Sequence, residues 1–272
     1  MSTRLRRGRA SSLRSRLLTL VQSATSTLTG AWQILTSAQE RLLNAVARIR
    51  PGRGNTRTLR TAVTVFQQSL AAFDRAVAGF AARWTATDLP LVYQEGGLSM
   101  LDIADRPYGL WSWTARHQAR ITGVSAQYYA DLMGRLQEAL RRARVFLRAV
   151  QDAARDMLAA RIDVEALRAG HRLNTVVYAN DAHHPVEAWA RASLSWQAVT
   201  TANQGAAQTA LDELGCTHVE VRDGAGCGWA SHDDPDGADG TLRTIEDALA
   251  HPVAHPHCVR QLRPYIAPGG LT

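Results

Sequence analysis

The cysteines and most of the histidines of this chain are concentrated in one segment. All three cysteines and five of the nine histidines lie between residues 216 and 258. Thiolate and imidazole are the ligands that zinc prefers, and four of them in a tetrahedral arrangement stabilise a small fold. Two close pairs of such residues are separated by a spacer, Cys227-x4-His232 and His255-x2-Cys258. This spacing predicts one structural zinc ion bound by these four residues.

Two further residues of the same segment, Cys216 and His257, are reserve ligands for this site. The segment has no CxxC pair and does not follow the spacing of a standard zinc finger. A second interpretation therefore stays open, in which these cysteines and histidines are packed or hydrogen-bonded without a metal.

The same segment carries a family resemblance. Residues 223–241 (DGAGCGWASHDDPDGADGT) place a cysteine beside an Asp-Gly turn, and residues 252–258 (PVAHPHC) form a proline-led HPxC element. The preceding helical stretch has an asparagine and a glycine near its middle, Asn203 and Gly205. Over about residues 185–265 the chain resembles the Mu F-like minor head proteins of tailed phages. It departs from them in having only Cys227 where the family often has a CxxC, and His257 within its HPxC element.

The resemblance implies a phage minor head protein that acts in head assembly, or in DNA packaging or ejection, without catalytic activity. Such a protein is present in few copies near the portal inside the procapsid, and in the host cytoplasm during assembly. Its implied partners are the portal protein, the scaffold or major capsid protein and packaged double-stranded DNA, and self-association is compatible with it. Some family members continue into a toxin or enzyme domain, which we do not expect after Cys258.

An enzymatic interpretation has weaker support in the sequence. His232 stands beside Asp233 and Asp234, and a metal-dependent hydrolase or nuclease could use such a cluster. The same residues belong to an Asp-Asp-Pro-Asp-Gly stretch, in which aspartates typically bond their own backbone in a turn. We therefore expect a turn, and keep the metal-dependent enzyme as a third hypothesis.

Positive charge is concentrated at the start of the chain. Residues 1–60 hold 12 arginines and a single acidic residue, Glu40, whereas the formal net charge of the whole chain is +7. Arginines without opposing acids can neutralise phosphates or an acidic protein surface, although a solvated tail is the alternative. The predicted contact residues are Arg4, Arg6, Arg7, Arg9, Arg14 and Arg16. A zinc-stabilised DNA-binding module is therefore the second functional hypothesis.

Apolar residues at alternating steps of three and four predict long helices in the first two-thirds of the chain. One such seam runs from Leu59 through Phe73 to Trp84, and another runs from Tyr129 to Met157. We expect the first seam to be buried against other helices. Gly and Pro residues predict that residues 89–116 form a connector of loops and short elements.

In the C-terminal part of the chain, the sequence pattern predicts shorter helices and strands. Strands are expected within residues 174–179 and 218–221, a helix from Pro185 to Leu214, and a short helix over residues 241–250. Gly170 is expected to cap the second long helix.

Together these patterns predict a mainly α fold: a long helical hairpin or stalk, followed by a compact, zinc-stapled α+β knob. The predicted division is a flexible basic arm (1–16), a long-helix region (17–170) and a Mu F-like C-terminal domain (171–272). No run of 18 apolar residues and no secretory signal is present, so we expect no membrane association.

Overall fold

The computed structural model describes residues 12–49, 56–155, 162–178 and 180–266. Helices dominate, and short strands occur only in the second half of these described residues. The helices are α1 (Leu13–Ala47), α2 (Thr56–Arg83), a π-helix (Trp84–Asp88), α3 (Leu89–Ile103), a 3₁₀ turn (Tyr108–Leu110), α4 (Ala115–Arg155), α5 (Val164–Gly170), α6 (Val186–Asp212) and α7 (Ile245–Ala250). The strands are β1 (Thr175–Val177), β2 (His183–Pro185), β3 (His218–Arg222), β4 (Leu242–Thr244) and β5 (Gln261–Tyr265). The predicted mainly α fold with a small α+β C-terminal region is confirmed.

Two small antiparallel sheets are formed by these strands. Strands β1 and β2 make a hairpin, and β3 lies between β4 and β5 in the order β4-β3-β5. The register of the second sheet pairs Val219 with Arg243 on one side and with Pro264 on the other. No described helix is long and apolar enough to cross a membrane.

Contacts divide the chain into two compact units. The first unit contains Met1–Ala24, Thr85–Ala126 and Arg191–Thr272, and the second contains Thr25–Trp84 and Gln127–Ala190. Both units combine stretches that are distant in sequence. The predicted three-part division stays a prediction.

The apolar seam of α2 is buried in the second unit. Phe73 is fully buried, and its ring lies 5.0 Å from that of Trp32 in α1. Phe66 packs in the same way against Phe146 of α4, with ring centroids 5.5 Å apart. The seam therefore closes within one chain, against two other helices. Its predicted burial is confirmed from Phe66 to Trp84, whereas Leu59 and Val63 are half-buried.

The predicted connector over residues 89–116 is wrong in its first half. The chain continues from α2 through the π-helix into α3, and Pro90 lies in the first turn of α3. Asp88 before it is itself helical, so Pro90 lies in a continuous helical stretch, directly after the π-turn where the regular hydrogen-bond spacing changes. Gly170 also differs from expectation: it is the last residue of the separate helix α5, and His171 is its C-cap. Pro51-Gly52 and Gly54-Asn55 predict a chain break, and Met157 is the predicted end of the second seam; both features lie outside the described residues.

Glycines allow α3 and α6 to approach closely in the first unit. A Cβ atom on Gly96 would overlap the backbone of Ala202, and one on Gly205 would overlap the backbone of Tyr93. These glycines therefore serve helix packing, and Gly96 was misread in the sequence as a loop signal.

Replacing Gly205 by alanine is expected to destabilise the protein by about 2 kcal/mol or more, because a backbone carbonyl cannot move aside as a side chain can. The matched control is Gly123→Ala in α4, where an added Cβ meets nothing within 4 Å. That variant is expected to be more stable by about 0.5–1 kcal/mol, because alanine loses less backbone entropy on folding. Urea unfolding measures both, and equal effects of the two substitutions would contradict the close approach.

A buried polar chain also ties α6 to its neighbours. The Tyr93 hydroxyl lies 2.9 Å from Nδ1 of His117, and Nε2 of His117 lies 3.0 Å from a carboxylate oxygen of Glu213, just after α6. His117 is fully buried. These bonds fix α3, α4 and the end of α6, the helix that supports the Cys/His segment.

Candidate metal centre

Three of the predicted ligands come together. The ligand atoms of Cys227, His255 and Cys258 all lie within 4.8 Å of one another, so this group could hold a metal ion. Cys227 follows β3, whereas His255 and Cys258 lie between α7 and β5. The strand pairing of β3 with β5 therefore brings the two sequence pairs to the same place.

Tight turns shape the loop that carries Cys227. Its N–H donates to the carbonyl of Gly224 at 3.0 Å, and its own carbonyl accepts from Ala238 N–H at 2.9 Å. Gly226 has a φ of +79°, a conformation that favours glycine. At Gly228 a side chain would overlap the backbone of Ser231. The glycines around Cys227 are therefore required by the path of the loop.

The second loop is held by its own turn and by α6. The N–H of Cys258 donates to the carbonyl of His255 at 2.9 Å, which places both side chains in one turn. The amide of Asn203 donates to the carbonyls of Pro252 (2.7 Å) and Arg260 (3.0 Å). Asn203 thus fixes this loop on both sides of the HPxC element.

One side of the group is apolar. Cys227 and Cys258 form a small buried cluster with Val253, against which Trp196 and Val199 of α6 pack. Such a setting excludes water and favours neutral forms of ionisable groups.

The protonation states in this setting favour metal binding at His255 and oppose it at Cys227. Burial raises the pKa of the Cys227 thiol to about 12, and the carboxylate of Asp223 beside it acts in the same direction. Burial and the neighbouring His232 imidazole lower the pKa of His255. At neutral pH the imidazole is therefore neutral and able to bind a metal, whereas the Cys227 thiol must first release its proton.

The other predicted ligands lie outside the mutually close group. The exposed His232 has its ring 4.8 Å from the ring of His255, in an edge-to-face arrangement. His257 is exposed and donates its backbone N–H to Nδ1 of His255 at 3.3 Å. Cys216 is buried after the end of α6. His232 as the fourth ligand stays a prediction.

Sequence reasoning missed a buried ion pair beside the cysteines. Nε of Arg260 donates to a carboxylate oxygen of Asp223 at 2.9 Å, and their side chains are 0% and 1% exposed. The Arg260 guanidinium also donates to the carbonyls of His251 (2.6 Å) and Gly228 (2.9 Å), and it lies 4.4 Å from the ring of Trp229. The only sequence signals were the Asp-Gly turn and an arginine two residues after Cys258.

The acidic stretch after His232 forms turns. The Asp234 carboxylate accepts the N–H groups of Ala230 and Asp236, both at 3.0 Å. These bonds lower the pKa of Asp234. Asp236 in turn pairs with Arg243 at 2.8 Å. The bonds of Asp234 are those that the turn interpretation predicts, whereas the Asp236 carboxylate is engaged by an ion pair.

No protein-family model, curated protein or solved structure matches the chain. The resemblance to the Mu F-like family therefore rests on the residues of this chain alone.

The basic arm is described only at its end. Arg4, Arg6, Arg7 and Arg9 lie outside the described residues. Arg14 is exposed in the first turn of α1, and Arg16 pairs with Glu95 of α3 at 2.7 Å. Arg16 is thus already engaged within the first unit.

Proposed function

We propose that this chain is a head-assembly protein of a tailed phage, similar to the Mu F-like minor head proteins, and that its Cys/His group binds one structural zinc ion. The observation that supports this proposal most is the contact between the helix with Asn203 and Gly205 and the HPxC element, the two features on which the resemblance rests. Asn203 of the Asn-x-Gly helix holds both ends of the HPxC loop, and Gly205 of the same helix admits α3. Each of these residues therefore has a physical role in one compact arrangement.

Zinc is the proposed metal because of the ligand chemistry. Two thiolates and an imidazole suit zinc better than the oxygen-preferring magnesium or calcium. Cys227, His255 and Cys258 would hold it, and His232 is the predicted fourth ligand. Bound there, the ion would join the loop after β3 to the loop before β5. Its role would be to stabilise the packing of this region on α6.

The purified protein is expected to contain one zinc ion per chain, and Cys258→Ser is expected to lose it. Without the metal, amide hydrogen exchange should become faster in residues 216–265 and change little in α2. The control is Cys216→Ser, which removes a buried cysteine outside the group and should keep the zinc. Elemental analysis that finds no metal in the wild-type protein would contradict the site.

The assembly role is tested with proteins of the same phage genome. Co-expression with the portal and scaffold proteins should yield procapsids that contain this chain in few copies, and Cys258→Ser should reduce its incorporation. Procapsids that exclude the wild-type chain, or a genome without a portal gene, would overturn the proposed role.

The second candidate, a zinc-stabilised DNA-binding module, is favoured by the arginines of the N-terminal arm. Deleting residues 1–16 is expected to weaken association with double-stranded DNA or procapsids while zinc content stays unchanged. Because phosphate contacts release counterions, the lost binding should be steeply salt-dependent and independent of DNA sequence. Fluorescence anisotropy with two unrelated duplexes at low and moderate salt measures this. Equal binding by the truncated chain would leave the arm as a solubility tail.

A further inference from the structure

One acidic side chain faces the candidate metal centre from within the protein. The two carboxylate oxygens of Asp223 lie 3.3 and 3.4 Å from Sγ of Cys258, which donates to them. The side chain of Asp223 is 1% exposed. Asp223 directly precedes the turn from Gly224 to Cys227. A carboxylate therefore lies beside the thiols in a region that water does not reach.

The distance between these atoms matches that of two ligands on one ion. With Zn–S about 2.3 Å and Zn–O about 2.0 Å, adjacent ligand atoms of a tetrahedral zinc are about 3.5 Å apart. Sγ of Cys258 and the Asp223 carboxylate are thus close enough to be adjacent ligands of one ion, which would replace the thiol proton and lie to one side of the line between the two atoms. A thiolate and a carboxylate this close, without a cation between them, would repel each other.

The charges around the group balance when Asp223 is included. On metal binding the thiols of Cys227 and Cys258 would release their protons and a divalent ion would neutralise the two thiolates, while the buried guanidinium of Arg260 already neutralises the carboxylate. Oδ2 of Asp223 accepts from Arg260, and Oδ1 accepts the N–H of Gly224 at 2.8 Å. Each oxygen has a second lone pair for a metal. These outer bonds would orient the carboxylate, as is usual for ligands of structural ions.

Asp223 and His232 both lie outside the group whose ligand atoms are all within 4.8 Å of one another, but they are held differently. His232 is exposed, and its ring lies against the ring of His255. Binding through His232 would have to order an exposed side chain, whereas Asp223 is already held by two hydrogen bonds.

On the premise of the proposed zinc site, we propose that Asp223 is the fourth metal ligand, which completes a site of two thiolates, one imidazole and one carboxylate with Cys227, His255 and Cys258. The site would then be closed by protein atoms, as in structural rather than catalytic zinc sites. His232 would lie outside the coordination sphere.

X-ray absorption of the zinc-loaded wild-type protein is the first test. It should show two sulfur ligands, one imidazole and one oxygen. Two imidazoles would assign the fourth position to a second histidine, His232 or the reserve ligand His257, and overturn the inference while leaving the zinc site intact. A wild-type chain that binds no zinc would overturn both.

Two variants complete the test, with zinc affinity measured by chelator competition. His232→Gln should change the affinity less than about twofold. Asp223→Asn should lower it by more than about 100-fold, since even outer-shell partners of metal sites account for 10–100-fold. Unchanged affinity in a folded Asp223→Asn variant would contradict the inference.

A bound water could also supply one oxygen, so the cobalt-substituted wild-type protein is titrated with azide. An exchangeable water would be replaced and the visible bands would shift, which would overturn the assignment even if Asp223→Asn fails to fold. A carboxylate ligand predicts an unchanged spectrum.

Discussion

Replacing Phe73 by aspartate is expected to lower the free energy of unfolding by at least about 4 kcal/mol. Phe73 is fully buried in the middle of α2, and its ring meets that of Trp32 edge to face at 5.0 Å. The substitution removes this apolar contact, leaves a cavity and places a carboxylate in it. Urea unfolding followed by circular dichroism measures the loss, or shows that the variant is unfolded without denaturant.

The matched control lies on the same helix. Val65 is 41% exposed in α2, so Val65→Asp makes the same kind of change on the outer face. It should cost less than about 1 kcal/mol, as surface substitutions usually do. A similar loss in both variants would mean that helix propensity, and not burial of the seam, determines the result.

The alternating apolar steps of α2 were sufficient to predict its buried face because they repeat over more than three heptads. In α4 the same periodicity identified a helix that begins before the predicted seam: the seam starts at Tyr129, and α4 starts at Ala115. Periodicity locates a buried face well, but helix ends depend on local capping that apolar spacing does not encode.

Residues 89–103 show why local signals fail when tertiary packing decides. Pro90, Gly96 and Gly97 are typical of loops, yet they lie in α3. Gly96 is needed because Ala202 of α6 lies against it, and Gly97 because Trp111 and Thr209 do. A single sequence cannot distinguish a glycine that ends a helix from one that admits a neighbouring helix.

Only part of the metal centre could be predicted from the sequence, because tertiary packing also decides which side chains surround it. The spacing of the two sequence pairs identified Cys227, His255 and Cys258, since sulfur and imidazole are unusual outside binding sites and cores. Asp223 and Arg260 carry common side chains, and only the pairing of β3 with β5 makes them neighbours. The burial of this ion pair, which makes the loss of either charge costly, has no signature in the sequence.

Replacing Arg260 by methionine is expected to destabilise the protein by about 3–5 kcal/mol, because it leaves the buried carboxylate of Asp223 without a counter-charge. The variant also loses the hydrogen bonds to the carbonyls of His251 and Gly228, which are then left with one donor fewer. Urea unfolding is measured in the presence of a chelator, so that metal affinity does not enter the comparison.

An exposed ion pair of the same unit gives the control. Arg116 pairs with Asp212 at 3.0 Å, but its side chain is 74% exposed. Arg116→Met should therefore cost less than about 1 kcal/mol, because solvent already screens that pair.

The double variant Asp223→Asn/Arg260→Met separates the charge from the packing. Removing both charges relieves the unpaired carboxylate, so the double variant should be more stable than Arg260→Met alone, as is common when a whole buried pair is replaced. If the double variant is instead less stable by the sum of the two single effects, the residues act independently. The loss in Arg260→Met would then come from its contacts with Trp229 and the loop carbonyls, and the ion pair would contribute little to holding the loops before β5 and after β3 together.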